Sequence, residues 1–181
     1  MNLSSTIKSI QDIMRKDDGV DGDAQRIGQL TWMLFLKIFD QCEETWEDDA
    51  ADKGEKYDSP IPEESRWRNW AKYKVDAEGK KQPRIAASEL IRYVGDNVVD
   101  KLKAINPVSV VSTAGKPRKA NDDVQTAINP IAKVVREVFE DTNNYMKSGT
   151  LMLGVIEKLD EAIDFHDIKS RGQLGMVYEQ M

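Results

Sequence analysis

The sequence predicts a mainly α fold, a bundle-like domain of about six or seven helices. Three observations carry that expectation. Apolar residues recur at spacings of three and four in one segment after another, and no stretch sustains the two-residue alternation of a half-buried sheet. Third, the segment at about 24–48 is apolar nearly all round, the pattern of a buried central helix around which others pack.

Taken in order, Leu3, Ile7, Ile10 and Met14 form the stripe of an opening helix that Ser4 or Ser5 can cap and that Asp17, Asp18 and Gly19 end. Asp21 or Asp23 can cap the central helix, which places Ile27, Leu30, Leu34, Ile38 and Cys42 on one face and Trp32, Met33, Phe35, Leu36 and Phe39 on the others. Residues 43–52 hold six acids and read as a solvated helix end, followed by a Gly- and Pro-containing connection at 53–62. In EESRWRNWAKY (63–73), Trp67, Trp70 and Tyr73 stand three apart, as on a short helix. A turn or small β-hairpin fits near 74–86, with Asp76 to Gly79 as its tip.

Ser88 can cap a helix bearing Ile91, Val94, Val98, Leu102 and Ile105, which Asn106 and Pro107 end. Residues 108–121 read as a loop and 124–128 as a short helical turn. Asn129 and Pro130 offer a cap and a first-turn proline to a helix with Val134, Val135, Val138 and Phe139 inward. Ser148 or Thr150 opens a last full helix striped by Leu151, Val155, Ile156, Leu159 and Ile163. Leu174, Val177, Tyr178 and Met181 begin one more apolar face without a terminating signal, which fits either the N-terminal piece of a longer protein or a terminal helix that frays.

Composition narrows the chemistry. With 181 residues, 40% hydrophobic and a net charge of -6, the chain is long enough for one core and too acidic to be a nucleic-acid footprint over its whole surface. One cysteine (Cys42) and one histidine (His166) exclude an internal disulfide framework and most metal sites. Cys42 lies on an apolar stripe, where a structural thiol is the expectation, and His166 sits among acids, away from any nucleophile. No glycine-rich phosphate loop follows a strand pattern, and the six acids of 43–52 lack the spacing of a calcium loop. Neither a leader peptide nor an apolar run of membrane-spanning length is evident, so a cytoplasmic location is expected.

Charge is unevenly distributed. Residues 1–52 carry -7, residues 53–119 carry +6 and residues 120–181 carry -5. Within the basic middle, Arg66, Arg68, Lys72, Lys74, Lys80, Lys81 and Arg84 oppose only Asp76 and Glu78 and are interleaved with Trp67, Trp70 and Tyr73; Lys116, Arg118 and Lys119 form a second cluster. Such cations beside planar rings can engage phosphates and stack on bases. On the residues alone, the tryptophans at three-residue spacing read rather as anchors that fix a short helix to the core and leave the charges in water.

The opening helix, AQRIGQLTWMLFLKIFDQCEE (24–44), WRNW (67–70), Asn129-Pro130 followed by VFED (138–141), and LGVIEKLDEAIDF (153–165) before GQLGMVYEQM together resemble the N-terminal region of the modification (methyltransferase) subunit of bacterial type I restriction-modification systems. The resemblance covers essentially the whole chain. It implies a helical domain over 1–165, with 166–181 starting the connection to a doubly wound catalytic domain that uses S-adenosylmethionine to methylate adenine in DNA. That domain's glycine motif and Asn-Pro-Pro-Phe motif are absent here, since the two Asn-Pro pairs continue with Val108 and Ile131. No catalytic, cofactor-binding or metal residue is therefore expected within these residues. The resemblance further implies partners: double-stranded DNA, a specificity subunit, a second methyltransferase subunit and a restriction subunit. Two roles stay open, a DNA clamp contacting phosphates through the basic residues named above, and an assembly domain that docks to partner subunits without touching DNA.

Overall fold

The computed structural model describes residues 3–110 and 126–162. Among them the fold is mainly helical, as expected, with two small antiparallel ribbons. Helix α1 (Leu3–Met14) buries Ile7, Ile10 and Met14. The acidic run is part of α2 (Asp23–Asp52), whose N-cap is Gly22 at φ 89°, so neither Asp21 nor Asp23 caps it. Only the middle of α2, residues 29–40, is buried nearly all round, through Leu30, Trp32, Met33, Leu34, Leu36 and Phe39; Cys42 is half-buried rather than enclosed.

A 3₁₀ turn (Glu63–Ser65) leads into the single helical turn α3 (Trp67–Trp70). Trp67 and Trp70 are 2% and 1% exposed, which realises the anchoring role. Trp70 stacks on Trp32 with ring centroids 6.4 Å apart, and Trp32 meets Phe139 edge-on at 6.3 Å, so one aromatic cluster joins three helices. The hairpin also forms: β1 (Lys74–Val75) pairs with β2 (Lys81–Gln82), Val75 opposite Lys81. Its tip is closed by Asp76, whose Oδ1 accepts from Lys80 N at 2.7 Å, and Gly79 supplies the φ of 78° that the turn demands.

The next helix is one rod in three parts: α4 (Ala87–Tyr93), a π-helical segment (Val94–Val99) and α5 (Asp100–Lys103). Its cap position is Ala86, with no side-chain cap, and Ser88 lies inside the first turn. Leu90, Val94, Val98 and Leu102 are all 0% exposed. Residues four apart drift round a regular helix of about 3.6 residues per turn by some 40° per step; the wider π turns absorb that drift and keep the four on one face.

At 108–110 and 126–128 the structure replaces the expected loop and helical turn with a ribbon: β3 (Val108–Val110) pairs with β4 (Thr126–Ile128), Val108 opposite Ile128, while the rest of both expectations falls outside the described residues. Three β-branched-rich residues on each side favour extended backbone, a stretch too short for periodicity to reveal. In α6 (Pro130–Phe139), Asn129 Oδ1 accepts from Ile131 N at 3.0 Å and Ala132 N at 3.1 Å, the expected cap. Ala132, Val135 and Phe139 face inward, whereas Val134, expected inward, is 49% exposed.

Helix α7 (Gly149–Ala162) opens at Ser148, whose Oγ accepts from Leu151 N at 3.3 Å. It lies against α1 and α4, so the centre of the bundle is shared between α2 and α7. Met152, Val155, Ile156 and Leu159 are fully buried. Gly149 touches the start of α4 so closely that a Cβ there would sit 1.9 Å from Ala87 O. Buried Asp17 ties the two ends together, accepting from Gly19 N, Lys147 N and Ser148 N at 2.9 to 3.0 Å. The division at 165/166, His166 and the last apolar face lie outside the described residues. No described helix is long and apolar enough to cross a membrane.

Candidate nucleic-acid interface

The basic tract does not form one surface; it divides near Trp70. Before that point its cations are turned inward by α2. Asp40, Glu43 and Glu47, at spacings of three and four, share the face of α2 that meets α3. Arg68 donates from Nε to Asp40 Oδ1 at 2.7 Å, from a terminal nitrogen to Asp40 O at 2.9 Å and from the other to Glu47 Oε2 at 2.6 Å. Arg66 reaches Glu47 Oε1 at 3.1 Å. Burial alone would lower the Arg68 pKa, but its bonds to Asp40 and Glu47 outweigh that and raise it, so the guanidinium stays charged.

The carboxylates answer differently. Burial pushes Asp40 above the usual carboxylate range despite the bonds from Arg68. Glu43, 0% exposed, is pushed up by burial, which outweighs the Tyr57 hydroxyl donating to its Oε1 at 3.1 Å. The acidic run expected to be a solvated helix end is therefore solvated only in part: Asp48, Asp49 and Asp52 are exposed, while Glu43 and Glu47 belong to the inner lattice.

After Trp70 the cations turn outward. Lys74 and Lys80 are exposed on the hairpin, and no salt bridge engages them among the described residues. Lys72 and Lys81 are 57% and 58% exposed, and their ion pairs among the described residues are long, 3.7 Å to Glu44 and 4.0 Å to Glu161. Arg84 is half-buried and donates from Nε to Lys72 O at 2.8 Å, strapping the hairpin to the chain entering it. Lys116, Arg118 and Lys119 lie outside the described residues.

Beneath the hairpin is a cleft of about 390 Å³ between α2, α3 and α7. Lys37, 6% exposed, bonds Asp160 Oδ1 at 2.7 Å and stands 5.9 Å from the centre of the Trp67 ring, while Trp67 Nε1 donates to the same oxygen at 3.0 Å. Burial raises the Tyr73 pKa, with Glu157 and Asp160 adding to the effect, so the phenol stays neutral. Sequence reasoning missed Lys37 and the acids of α7. The signal for the latter was present in the spacing of Glu157, Asp160 and Glu161, which puts three carboxylates on one helix face. No described group of three or more His, Cys, Asp or Glu side chains is placed to hold a metal ion.

Residues 3–159 match the family described as the HsdM N-terminal domain. The chain is 43% identical over 182 residues to the methylase subunit of the EcoEI type I restriction enzyme of Escherichia coli, an alignment spanning all of this chain and 31% of that protein. Among solved structures, a chain from work on complex assembly and conformational transition in the type I R-M system superposes with a TM-score of 0.66 at 27% identity, covering 98% of this chain and 29% of that one. A modification subunit assigned to a type I restriction enzyme of Vibrio vulnificus superposes with a TM-score of 0.61 at 26% identity, covering 99% of this chain and 34% of the other. The chain thus spans about a third of each relative. Matched over nearly its whole length in sequence and in fold, it belongs to the HsdM N-terminal domain family.

Proposed function

We propose that this chain serves as the noncatalytic N-terminal domain of a type I restriction-modification methyltransferase subunit, acting in the bacterial cytoplasm, and that it helps enclose double-stranded DNA while contacting partner subunits. Chemistry on adenine, and S-adenosylmethionine, would belong to the remainder of such a subunit. Methylating a base inside a duplex requires that the base leave the stack, and phosphate contacts flanking the target hold the distorted DNA in register. The observation that supports this role is the outward half of the basic tract: Lys74 and Lys80 stand in solvent on the hairpin, and Lys72 and Lys81 are held only loosely. Arg66 and Arg68 are left out of the DNA-facing set because α2 engages both.

The test is titration of a fluorescent duplex of about 30 base pairs at low and moderate salt, with the chain and with the assembled complex. Changing Lys72, Lys74, Lys80 and Lys81 to Ala should weaken binding and lower the slope of log K against log salt by about 0.9 for each phosphate no longer neutralised. An unchanged slope would rule out the DNA-contact role. The assembly-only reading, with a specificity subunit, a second methyltransferase subunit or a restriction subunit as partner, is favoured by one observation, the net charge of -6, and would then stand.

A further inference from the structure

We propose that the cleft beneath the hairpin is a socket for an arginine side chain presented by a partner subunit. This inference deepens the subunit-contact half of the proposed function and rests on it. The cleft joins three features that suit a guanidinium group. It is lined by more carboxylates than cations, Asp40, Glu44, Glu157, Asp160 and Glu161 against Lys37, Lys72 and Lys81. Its floor already holds a cation against an indole and a carboxylate, in the Lys37, Trp67 and Asp160 unit. Its wall carries the half-buried ring of Tyr73 beside the exposed side chain of Val75, an aromatic and apolar surface on which the stem and plane of an arginine can lie.

The pairing within the cleft is uneven. Lys37 is buried and tightly bonded, and Asp40 is committed to Arg68. Glu157 is half-buried and pairs with no cation among the described residues, although it lies close enough to Tyr73 to raise that phenol's pKa. Glu161 meets Lys158 at 3.0 Å on its own helix and Lys81 only at 4.0 Å. The two rim lysines are therefore loose counterions, more than half exposed, that an incoming guanidinium can displace. A planar fork of donors can bridge Glu157 and Glu161, whereas a compact ammonium satisfies one of them. A nucleic-acid phosphate is the wrong occupant for a pocket with this balance of charge, and the described carboxylates are not grouped to coordinate a metal.

The test uses the 181-residue chain, labelled for NMR and titrated with N-acetyl-arginine amide, with its neutral urea analogue, N-acetyl-citrulline amide, and with N-acetyl-lysine amide. Amide shifts should concentrate on Tyr73, Val75, Glu157 and Glu161 with the arginine probe, be absent with citrulline and be weaker with lysine. The double change Glu157→Gln with Glu161→Gln should weaken arginine binding at least about five-fold. Changing Asp48 and Asp49 to Asn, which removes equal charge from exposed positions of α2 that do not line this cleft, should leave it within about two-fold. Removing the competing rim cations by Lys72→Ala with Lys81→Ala should tighten it, an increase that misfolding cannot imitate.

Shifts spread evenly over Asp48, Asp49 and Asp52, equal binding of citrulline or lysine, or no tightening in the lysine variant would each overturn the socket. In the assembled complex, Glu157→Gln with Glu161→Gln should reduce retention of partner subunits at moderate salt; unchanged retention would overturn the assignment of the occupant to a partner. A cleft response beside an unchanged DNA salt slope would remove the DNA-contact role and leave this inference standing, and the reverse pair of results would remove only this inference.

Discussion

Arg68 and Lys80 are twelve residues apart in one basic tract, yet they have opposite fates. The side chain of Arg68 is 20% exposed and its guanidinium is bonded to Asp40 and Glu47, while Lys80 projects from a hairpin tip with no salt bridge among the described residues. The difference lies in what stands opposite. Residues 66 and 68 flank and occupy the turn that the two tryptophans fasten onto α2, so their charges meet the carboxylates of that helix at close range. The hairpin carries residues 74–82 beyond α2, and its charges stay hydrated. Local composition therefore measures how much positive charge a segment has, and the acids brought near it by the fold decide how much is available to a partner.

The comparison can be broken hardest at the anchor. Trp70, 1% exposed, holds the inward half in place by stacking on Trp32 and meeting Trp67 at 5.2 Å. Trp70→Ala should cost about 4 kcal/mol in denaturant unfolding, as deletion of a large buried aromatic does. A loss below about 1 kcal/mol would mean that the ion pairs alone hold α3 to α2. Next in size is Arg68→Ala, which leaves Asp40, 5% exposed at its side chain, without its counterion. About 3 kcal/mol should be lost, since stripping one partner from a buried pair strands the other. A variant of native stability with a reduced DNA salt slope would reverse the division drawn between the two halves.

Much of this arrangement was legible in the sequence, and the remainder fails for identifiable reasons. The anchors Trp67 and Trp70, the cap and proline at Asn129 and Pro130, the Ser148 helix start and the hairpin around Asp76 and Gly79 are local signals, each written within a few residues. The engagement of Arg68 is not local: its partners lie 28 and 21 residues earlier, and the second, Glu47, belongs to a run whose acids look solvated when read along the chain. The π segment left only the four-residue spacing of Leu90, Val94, Val98 and Leu102, and β3 and β4 are three residues each. The cleft needs α2, α7 and the hairpin together, so no single segment announces it.

A smaller effect tests the electrostatics of the inward half. Glu43 is buried and its carboxyl is pushed above the ordinary value of 4.5, so between the ordinary and the raised value the folded state holds a proton that the unfolded chain has released. Stability from this group is full below the ordinary value and is lost as pH rises through the raised one. Glu43→Gln, which keeps the hydrogen-bonding shape without the ionisation, should flatten the fall in thermal stability as pH rises above 4.5. A steeper fall in the variant would show instead that ionised Glu43 is held by Arg66 and Arg68 strongly enough to overcome its burial.

The smallest expected change in stability sharpens the comparison most. Lys74→Ala and Lys80→Ala should each shift unfolding by less than about 0.5 kcal/mol, because exposed side chains away from any packed or paired group contribute little. The Lys80 amide that closes the turn on Asp76 is untouched by the substitution. The same two changes should lower the DNA salt slope, so the halves of one tract separate along two axes, stability for Arg68 and ionic-strength dependence for Lys74 and Lys80. Hairpin variants that lost stability as Arg68→Ala does would show the outer cations to be structural too, and an interface with DNA would then have to be sought elsewhere on the domain.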